Sequence, residues 1–401
     1  MLEKVVYLYG DGPMIPFVLL LALLTAFPPL ATDMYLPAIP YLVKTWQLPL
    51  VIVNLTLVLF FVTYCCSLLV YGPLSDRLGR KPPLLTGLLL FISGSLFCAL
   101  SSNIWMLISA RIIQAMGAGS ASAISLAMAR DRLPGGQRER VFSQISVIMA
   151  LAPMISPMIG SLILEHLSWH WIFAMQGLMG LVALAGVVLT PESHVGVQGA
   201  IFAVLRQSYG RVLRNRQLMG LVLCNAMTGL PLFTFIAGSA SIYITGFQLS
   251  ESRFSLLFGA NAFCFMAGSM SCLRFGKKIG TLRMVTWGYM GVIAGGIGLL
   301  VPLIDGPLRF ALPMGIITFF LGMSRPPSNN LVLEQVPKDA GTASSVMVFS
   351  YFFCGAMAMA AVSLNWPDKI RFIGTLALVS GILALGLWSF LRRHLHLPTA
   401  D

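Results

Sequence analysis

The chain has 401 residues, of which 57% are hydrophobic and only 10% charged, and its mean hydropathy is +0.85. A water-soluble surface needs roughly a quarter of the residues charged, so a soluble enzyme, a disordered chain and a disulfide scaffold are excluded and a polytopic membrane protein remains. The net charge of +12 reads as a basic excess on cytoplasmic loops, and no nucleic-acid partner is expected.

Apolar runs of about 20 residues are long enough to cross a bilayer as helices. Twelve are found, at approximately 14–39, 51–71, 84–101, 105–128, 142–164, 170–190, 217–244, 253–273, 284–304, 309–330, 342–364 and 371–391. Short alternating segments, the mark of a β-barrel, are absent from the pattern. The first run is too long for a cleaved signal peptide. The expectation is an all-α membrane protein with twelve transmembrane helices in two pseudo-symmetric six-helix bundles.

An even helix number puts both termini on one side. Loops on that side carry 20 Lys and Arg, Arg325 among them, against five on the other: Lys44, Arg253, Arg309, Lys369 and Arg371. That bias makes the termini cytoplasmic. Trp46, Trp105, Trp169, Trp171 and Trp366 then fall at the outer interface, where an aromatic belt belongs. The longest loop, 191–216, carries Arg206, Arg211, Arg214 and Arg216 among apolar residues, as an amphipathic helix on an anionic leaflet or a plain linker would. It divides the chain into a bundle over 1–190, a cytoplasmic amphipathic linker over 191–216 and a bundle over 217–401. Gly79-Arg80-Lys81 after span 2 is faintly echoed by Gly276-Lys277-Lys278 after span 8. Two repeated six-helix halves suit a transporter.

The seven Cys lie in apolar runs without a C-x-x-C spacing and read as small buried hydrophobes. His394 and His396 read as a solvated helix end. No metal or other cofactor is expected.

One cation and one acid fall inside spans: Arg111 in span 4 and Asp33 in span 1. Each costs roughly 2.5–3.5 kcal/mol to insert, so each should face the bundle interior or water. Both belong to the outer half, where a mutual contact is geometrically possible. Burial disfavours a charged carboxylate and a nearby guanidinium favours it; the opposed effects suit a proton-coupling site, and a static ion pair fits as well. Gln114, three residues after Arg111, shares its helical face. Candidate cavity residues are Tyr35, Asn54, Tyr64, Gln114, Met149, Asn225, Phe235, Asn261 and Phe349, because Met, aromatic and amide groups adapt to varied ligands. Pro28 and Pro29 should interrupt span 1, Pro37 and Pro40 should end it, and Pro153, Pro157 and Gly160 should bend span 5.

Gly72-Pro-Leu-Ser-Asp76-Arg77-Leu-Gly79-Arg80-Lys81-Pro82, between spans 2 and 3, closely resembles motif A of the major facilitator superfamily. Arg111-Ile-Ile-Gln114-Ala-Met-Gly117-Ala-Gly119 resembles its motif B of proton-coupled exporters. Ala31-Thr32-Asp33-Met34-Tyr35-Leu36-Pro37-Ala38 is similar to the bicyclomycin/chloramphenicol-resistance branch of drug:proton antiporters. Gly341-Thr342-Ala343-Ser344-Ser345 adds to the likeness. Residues 152–161 resemble the antiporter motif C but carry Ser156 and Ser161 where glycines are usual.

The resemblance implies the major facilitator fold and a conformational latch built from Gly72, Asp76, Arg77, Gly79, Arg80 and Lys81, in which Asp76 meets the start of the eleventh span. It further implies a proton-coupled exporter of small, fairly apolar drugs or toxic compounds in a bacterial cytoplasmic (inner) membrane. Its partners would be a small-molecule substrate, protons and lipids, and the chain would act as a monomer. The alternative cargo is a metabolite such as a nucleoside or amino acid. An enzyme is not expected, since no H-E-x-x-H, G-x-S-x-G or phosphate-binding loop occurs.

Overall fold

In the computed structural model, residues 15–132, 135–192, 201–302, 304–336 and 339–393 are described. Lys4, Lys338, His394 and His396 lie outside them. Their fold is helical throughout. The first apolar run forms α1 (Ile15–Asp33), which passes through Pro28 and Pro29 without a break. A membrane helix tolerates proline where neighbours re-satisfy the freed carbonyls. Pro37 lies in a single 3-10 turn (Leu36–Ala38). Pro40 opens α2 (Ile39–Trp46) rather than ending a helix, since a first-turn proline lacks only an amide that would be unpaired anyway.

Then follow α3 (Leu50–Leu78), α4 (Lys81–Ala99), α5 (Ile104–Arg132), α6 (Gly135–His166), α7 (His170–Leu189) and α8 (Ile201–Arg214). The remainder is α9 (Arg216–Ala240), α10 (Glu251–Ile279), α11 (Thr281–Leu300), α12 (Leu308–Glu334), α13 (Ala340–Ser363) and α14 (Lys369–Leu391), with a π-helical turn over Ser241–Gly246 after α9. Asn215, Ser250 and Asp368 cap α9, α10 and α14 by accepting amide hydrogens from Leu218, Arg253 and Arg371.

Among the described residues, ten helices are long and apolar enough to span a membrane by length and composition. The helices α11 and α12 fall short. Gly288, Gly291, Gly295, Gly296 and Gly298 dilute α11, and α12 carries Pro313, Pro326 and Pro327 with several polar groups. Their interior packing explains the composition. A Cβ on Gly291 would lie 2.0 Å from the Phe320 ring, and one on Gly322 would lie 2.1 Å from the Phe265 carbonyl oxygen. Small residues let membrane helices approach this closely.

Helices α1 and α3–α7 pack chiefly on one another: α5 on α3 and α4, α7 on α4, α1 on α5 and α6. A second set joins α9 to α13 and α14, and α12 to α10 and α11; the sets meet along α3–α13 and α6–α10. We call the ends that carry α8, the start of α1 and the end of α14 the terminal face, and the other the opposite face. At the opposite face Asn54 Nδ2 donates to the Ala237 carbonyl at 3.1 Å and to Ser363 Oγ at 2.7 Å. There too Ser255 Oγ donates to the Pro157 carbonyl at 2.8 Å. The flanks expose Leu89, Leu96, Leu178, Val182 and Phe390, a surface that only lipid satisfies.

Candidate functional site

Arg111 lies two turns into α5 and is fully buried. Its Nη1 donates to the Ala31 carbonyl at 3.0 Å and to Gln114 Oε1 at 2.6 Å, and its Nε reaches the Thr56 carbonyl at 3.4 Å. The guanidinium lies 4.2 Å from the Phe60 ring centre, with Tyr35 and Phe173 at 5.4 and 5.7 Å. Carbonyl dipoles and ring faces thus replace a counter-ion. Among the described residues its Nη2 has no hydrogen-bond partner.

Gln114, one turn on, extends the network by donating to Ser95 Oγ and Gln176 Oε1, both at 2.8 Å. Gln176 returns to the Leu30 and Ala31 carbonyls at 3.3 and 3.4 Å. Thr56 Oγ1 donates to the Tyr35 hydroxyl at 3.2 Å. One cation therefore links α1, α3, α4, α5 and α7. Gln176 was not among the residues singled out by sequence. Its polarity inside an apolar span was the available signal.

Asp33 is the last residue of α1 and 5% exposed. Its Oδ1 accepts from Thr32 Oγ1 at 2.9 Å. Among the described residues no cation stands within ion-pair distance of it. Asp33 and Arg111 do not touch: the sequence places them at comparable depth, but the packing turns Arg111 onto the backbone of α1. Next in the chain, Met34 presses its backbone on α6, where a Cβ on Gly160 would lie 2.0 Å from the Met34 carbonyl oxygen. Pro153 and Pro157 stand inside α6.

The motif between spans 2 and 3 is mostly helix, not loop. Gly72 lies within α3 with open space at its Cβ position, and the turn is confined to Gly79 and Arg80. Gly79 adopts φ +88°, where a side chain is strained. Arg80 is 3% exposed. It donates through Nε to Asp131 Oδ2 at 2.7 Å, and through Nη1 to Ser75 Oγ at 2.8 Å and Asp76 Oδ1 at 2.5 Å. Glu192 accepts the backbone amides of Arg80 and Lys81, and Lys81 Nζ donates to the Val188 carbonyl.

Asp76 thus pairs with Arg80 and not with the start of α13, the partner the resemblance implies. That start is held by α8. Arg211 donates to both oxygens of Asp339, at 2.8 and 2.7 Å, and Ser208 Oγ donates at 2.6 Å. The Arg211 guanidinium, helped by Ser208, holds the Asp339 carboxyl down at about 2.

Arg325 lies inside α12, nine residues before its end, and not in a loop, where the sequence count of cations placed it. Its guanidinium carbon is 3.7 Å from the Tyr351 ring centre. Among the described residues it has no carboxylate within 4.0 Å. With Asn225, Ser324, Asn329 and Met347 it lines a cavity of about 30 Å³, enough for a water-sized guest. Asn225 Nδ2 donates to Asn329 Oδ1 at 3.2 Å.

The other candidates do not gather in one place. Tyr64 joins Phe352, which contacts Phe61 and Phe233. Phe235 is buried between Phe258 and Phe310, Asn261 accepts from Thr318, and Asn54 bridges the helix sets. Phe349 stacks on Phe353, and Met149 is exposed on α6.

Comparison with known proteins places this geometry in a family. Residues 21–359 match the model of the Major Facilitator Superfamily. The chain is 30% identical over 375 residues to the uncharacterized MFS-type transporter YdgK of Bacillus subtilis, covering 91% of this chain and 92% of that one. It is 28% identical over 379 residues to the bicyclomycin resistance protein homolog of Haemophilus influenzae, covering 92% and 94%. Multidrug transporter MdfA of Yersinia pestis is 27% identical over 338 residues, 80% of each chain. In fold, a crystal structure of the peptide transporter POT superposes with a TM-score of 0.77 at 14% identity, covering 99% and 100% of the two chains. The chain therefore belongs to the Major Facilitator Superfamily and is a membrane transporter, not an enzyme.

Proposed function

We propose that the protein is a proton-coupled antiporter that exports small, fairly apolar drugs by alternating access. The observation that carries this reading is Asp33. It is a buried carboxyl at the end of a spanning helix, with no cation within ion-pair distance among the described residues. Burial makes its charge costly, so binding and loss of a proton there are coupled to whatever changes its surroundings. Arg111 grips the same stretch of α1 through Ala31, so movement of α1 against α5 changes the field at Asp33. The relatives named for bicyclomycin resistance and for multidrug transport support drugs as cargo.

In this reading residues 1–190 and 217–401 rock as two units joined by 191–216. The terminal face is cytoplasmic in a bacterial inner membrane, and the state described is closed to the outside. Asp76, Arg77, Arg80 and Lys81, with Gly72 and Gly79, act as the latch when the opposite face opens, and Pro153, Pro157 and Gly160 let α6 flex. Each imported elementary charge supplies about 2.3 kcal/mol per 100 mV. Cavity groups would be Tyr35, Asn54, Tyr64, Gln114, Met149, Asn225, Phe235, Asn261 and Phe349. The polar cavity at Asn225, Asn329 and Arg325 favours a second reading, a metabolite such as a nucleoside or amino acid as cargo.

The test is proton release on adding chloramphenicol to detergent-purified protein, with gradient-driven transport in proteoliposomes alongside. Asp33→Asn is expected to abolish both while leaving the protein folded. Undiminished coupled transport in that variant would overturn the assignment.

A further inference from the structure

Two of the five cations that the sequence assigns to the side opposite the termini, Arg309 and Lys369, line one cavity, and a third, Arg371, follows the lining residue Ile370 in the chain. It has a volume of about 530 Å³, in the range of ligand sites. Its walls come from both helix sets. Pro40, Val43 and Leu50 belong to α2 and the start of α3; Ser241–Gly246, Arg309 and 366–370 belong to the other set.

The charges do not balance. Asp368 is the single carboxylate on the wall, and it is shared by Arg309 at 3.7 Å and Arg371 at 3.4 Å. Lys369 Nζ has Ser241 Oγ at 3.2 Å and, among the described residues, no carboxylate within 4.0 Å. Among the described residues, Arg309 Nε is sealed from solvent without a hydrogen-bond partner. Two cations, Arg309 and Lys369, thus line the wall against one carboxylate, and one positive charge is left over, against the general scarcity of cations on this side. The remaining wall is apolar, with Val43, Phe247 and Trp366. Trp366 is 39% exposed and stacks on Phe372 with ring centres 4.3 Å apart, as at a membrane–water boundary. A guest that matches this lining is an amphiphile with one anionic head.

We propose that this cavity binds the phosphate of an anionic phospholipid head group between Arg309 and Lys369, with the lipid's glycerol and upper acyl carbons against the apolar wall. Because both helix sets contribute to the wall, the bound lipid favours the form joined at the opposite face.

The test uses the full chain in detergent, with retained lipid counted by native mass spectrometry. A lysine or arginine facing a lipid phosphate contributes about fivefold in binding. Phosphatidylglycerol is therefore expected to be retained at least about tenfold better than phosphatidylcholine. The double variant Arg309→Gln/Lys369→Gln is expected to hold the two lipids alike, while Lys369→Arg keeps the preference. Cysteines at Val43 and Thr245 are expected to cross-link faster with phosphatidylglycerol than with phosphatidylcholine in the parent, and at equal rates in the double variant. An equal preference for phosphatidylglycerol in parent and double variant would sink the proposal. So would displacement of the lipid by millimolar inorganic phosphate, which would mark the site as one for a soluble anion. If the double variant does not fold, loss of the preference on Lys369→Gln alone decides for the proposal, and its persistence there decides against it.

Discussion

Arg111 donates to the carbonyl oxygen of Ala31 at 3.0 Å, two residues before Asp33, and among the described residues no cation pairs with the Asp33 carboxylate. A guanidinium can do this because its fork fits carbonyls and its flat face fits rings. Arg111 and Asp33 are therefore held separately, one by dipoles and aromatic faces, the other by a single hydroxyl.

Arg111→Lys tests that arrangement. An ammonium cannot reach Ala31, Gln114 and Thr56 together or lie flat on Phe60. The variant is expected to remain folded but to lose about 1–3 kcal/mol, read as a lower thermal midpoint in detergent. An unchanged midpoint would show that the network does not brace α1 against α5.

Gly160→Ala addresses the contact between α1 and α6. Alanine is the better helix former by about 1 kcal/mol, yet its Cβ would sit 2.0 Å from the Met34 carbonyl oxygen. Backbone must shift, so a net loss of about 1–3 kcal/mol is expected. Gly386→Ala in α14, where nothing lies within 4 Å, is the control and should be neutral or stabilising. Equal thermal midpoints for the two variants would contradict the packing.

Arg325→Gln removes a cation that has no acid to orphan, so stability should change little. A fixed charge about 8 Å from a cationic ligand opposes it by about 2 kcal/mol at an effective dielectric near 20, before screening. Export of ethidium relative to chloramphenicol is therefore expected to rise about threefold to tenfold in proteoliposomes. A ratio that stays put would place Arg325 outside the substrate path.

Asp339 gives a pH dependence. Its carboxyl is held at about 2, below the ordinary carboxylate range near 4, by Arg211 and Ser208. A depressed acid contributes fully above its unfolded value and loses that contribution as pH falls through the folded one. The attachment of α8 to the start of α13 should therefore hold at pH 5 and weaken between pH 4 and about 2. Amide hydrogen exchange over residues 207–214, corrected for intrinsic rates, should show this, and Asp339→Asn should show it at pH 7. Equal protection at pH 5 and pH 2.5 would refute it.

The helical architecture was legible because a bilayer demands long apolar runs, and Asp33 and Arg111 stood out because charge is rare in such runs. What was not legible depended on helix rotation and on prolines. Sequence spacing puts Asp33 and Arg111 at one depth but does not say which way each side chain turns, and α5 turns Arg111 onto the α1 backbone. Arg325 counts among the loop cations in the sequence, near the end of the tenth apolar run, yet α12 continues through Pro326 and Pro327 to Glu334. Neighbouring helices, not local propensity, supply what those prolines remove. The chemistry of Phe235 and Asn261 was legible, but their contacts with Phe258, Phe310 and Thr318 were not, because those depend on packing between helices.

Asn54 spends its amide hydrogens on Ala237 and Ser363 across the two helix sets, while its own Oδ1 is buried with no donor in reach. A stranded oxygen of this kind costs about 1–3 kcal/mol. The clasp between the lobes is thus spring-loaded: prising it apart breaks two bonds but wets a thirsty atom. In the proposed alternating-access cycle, a contact balanced in this way closes the opposite face and stays cheap to reopen.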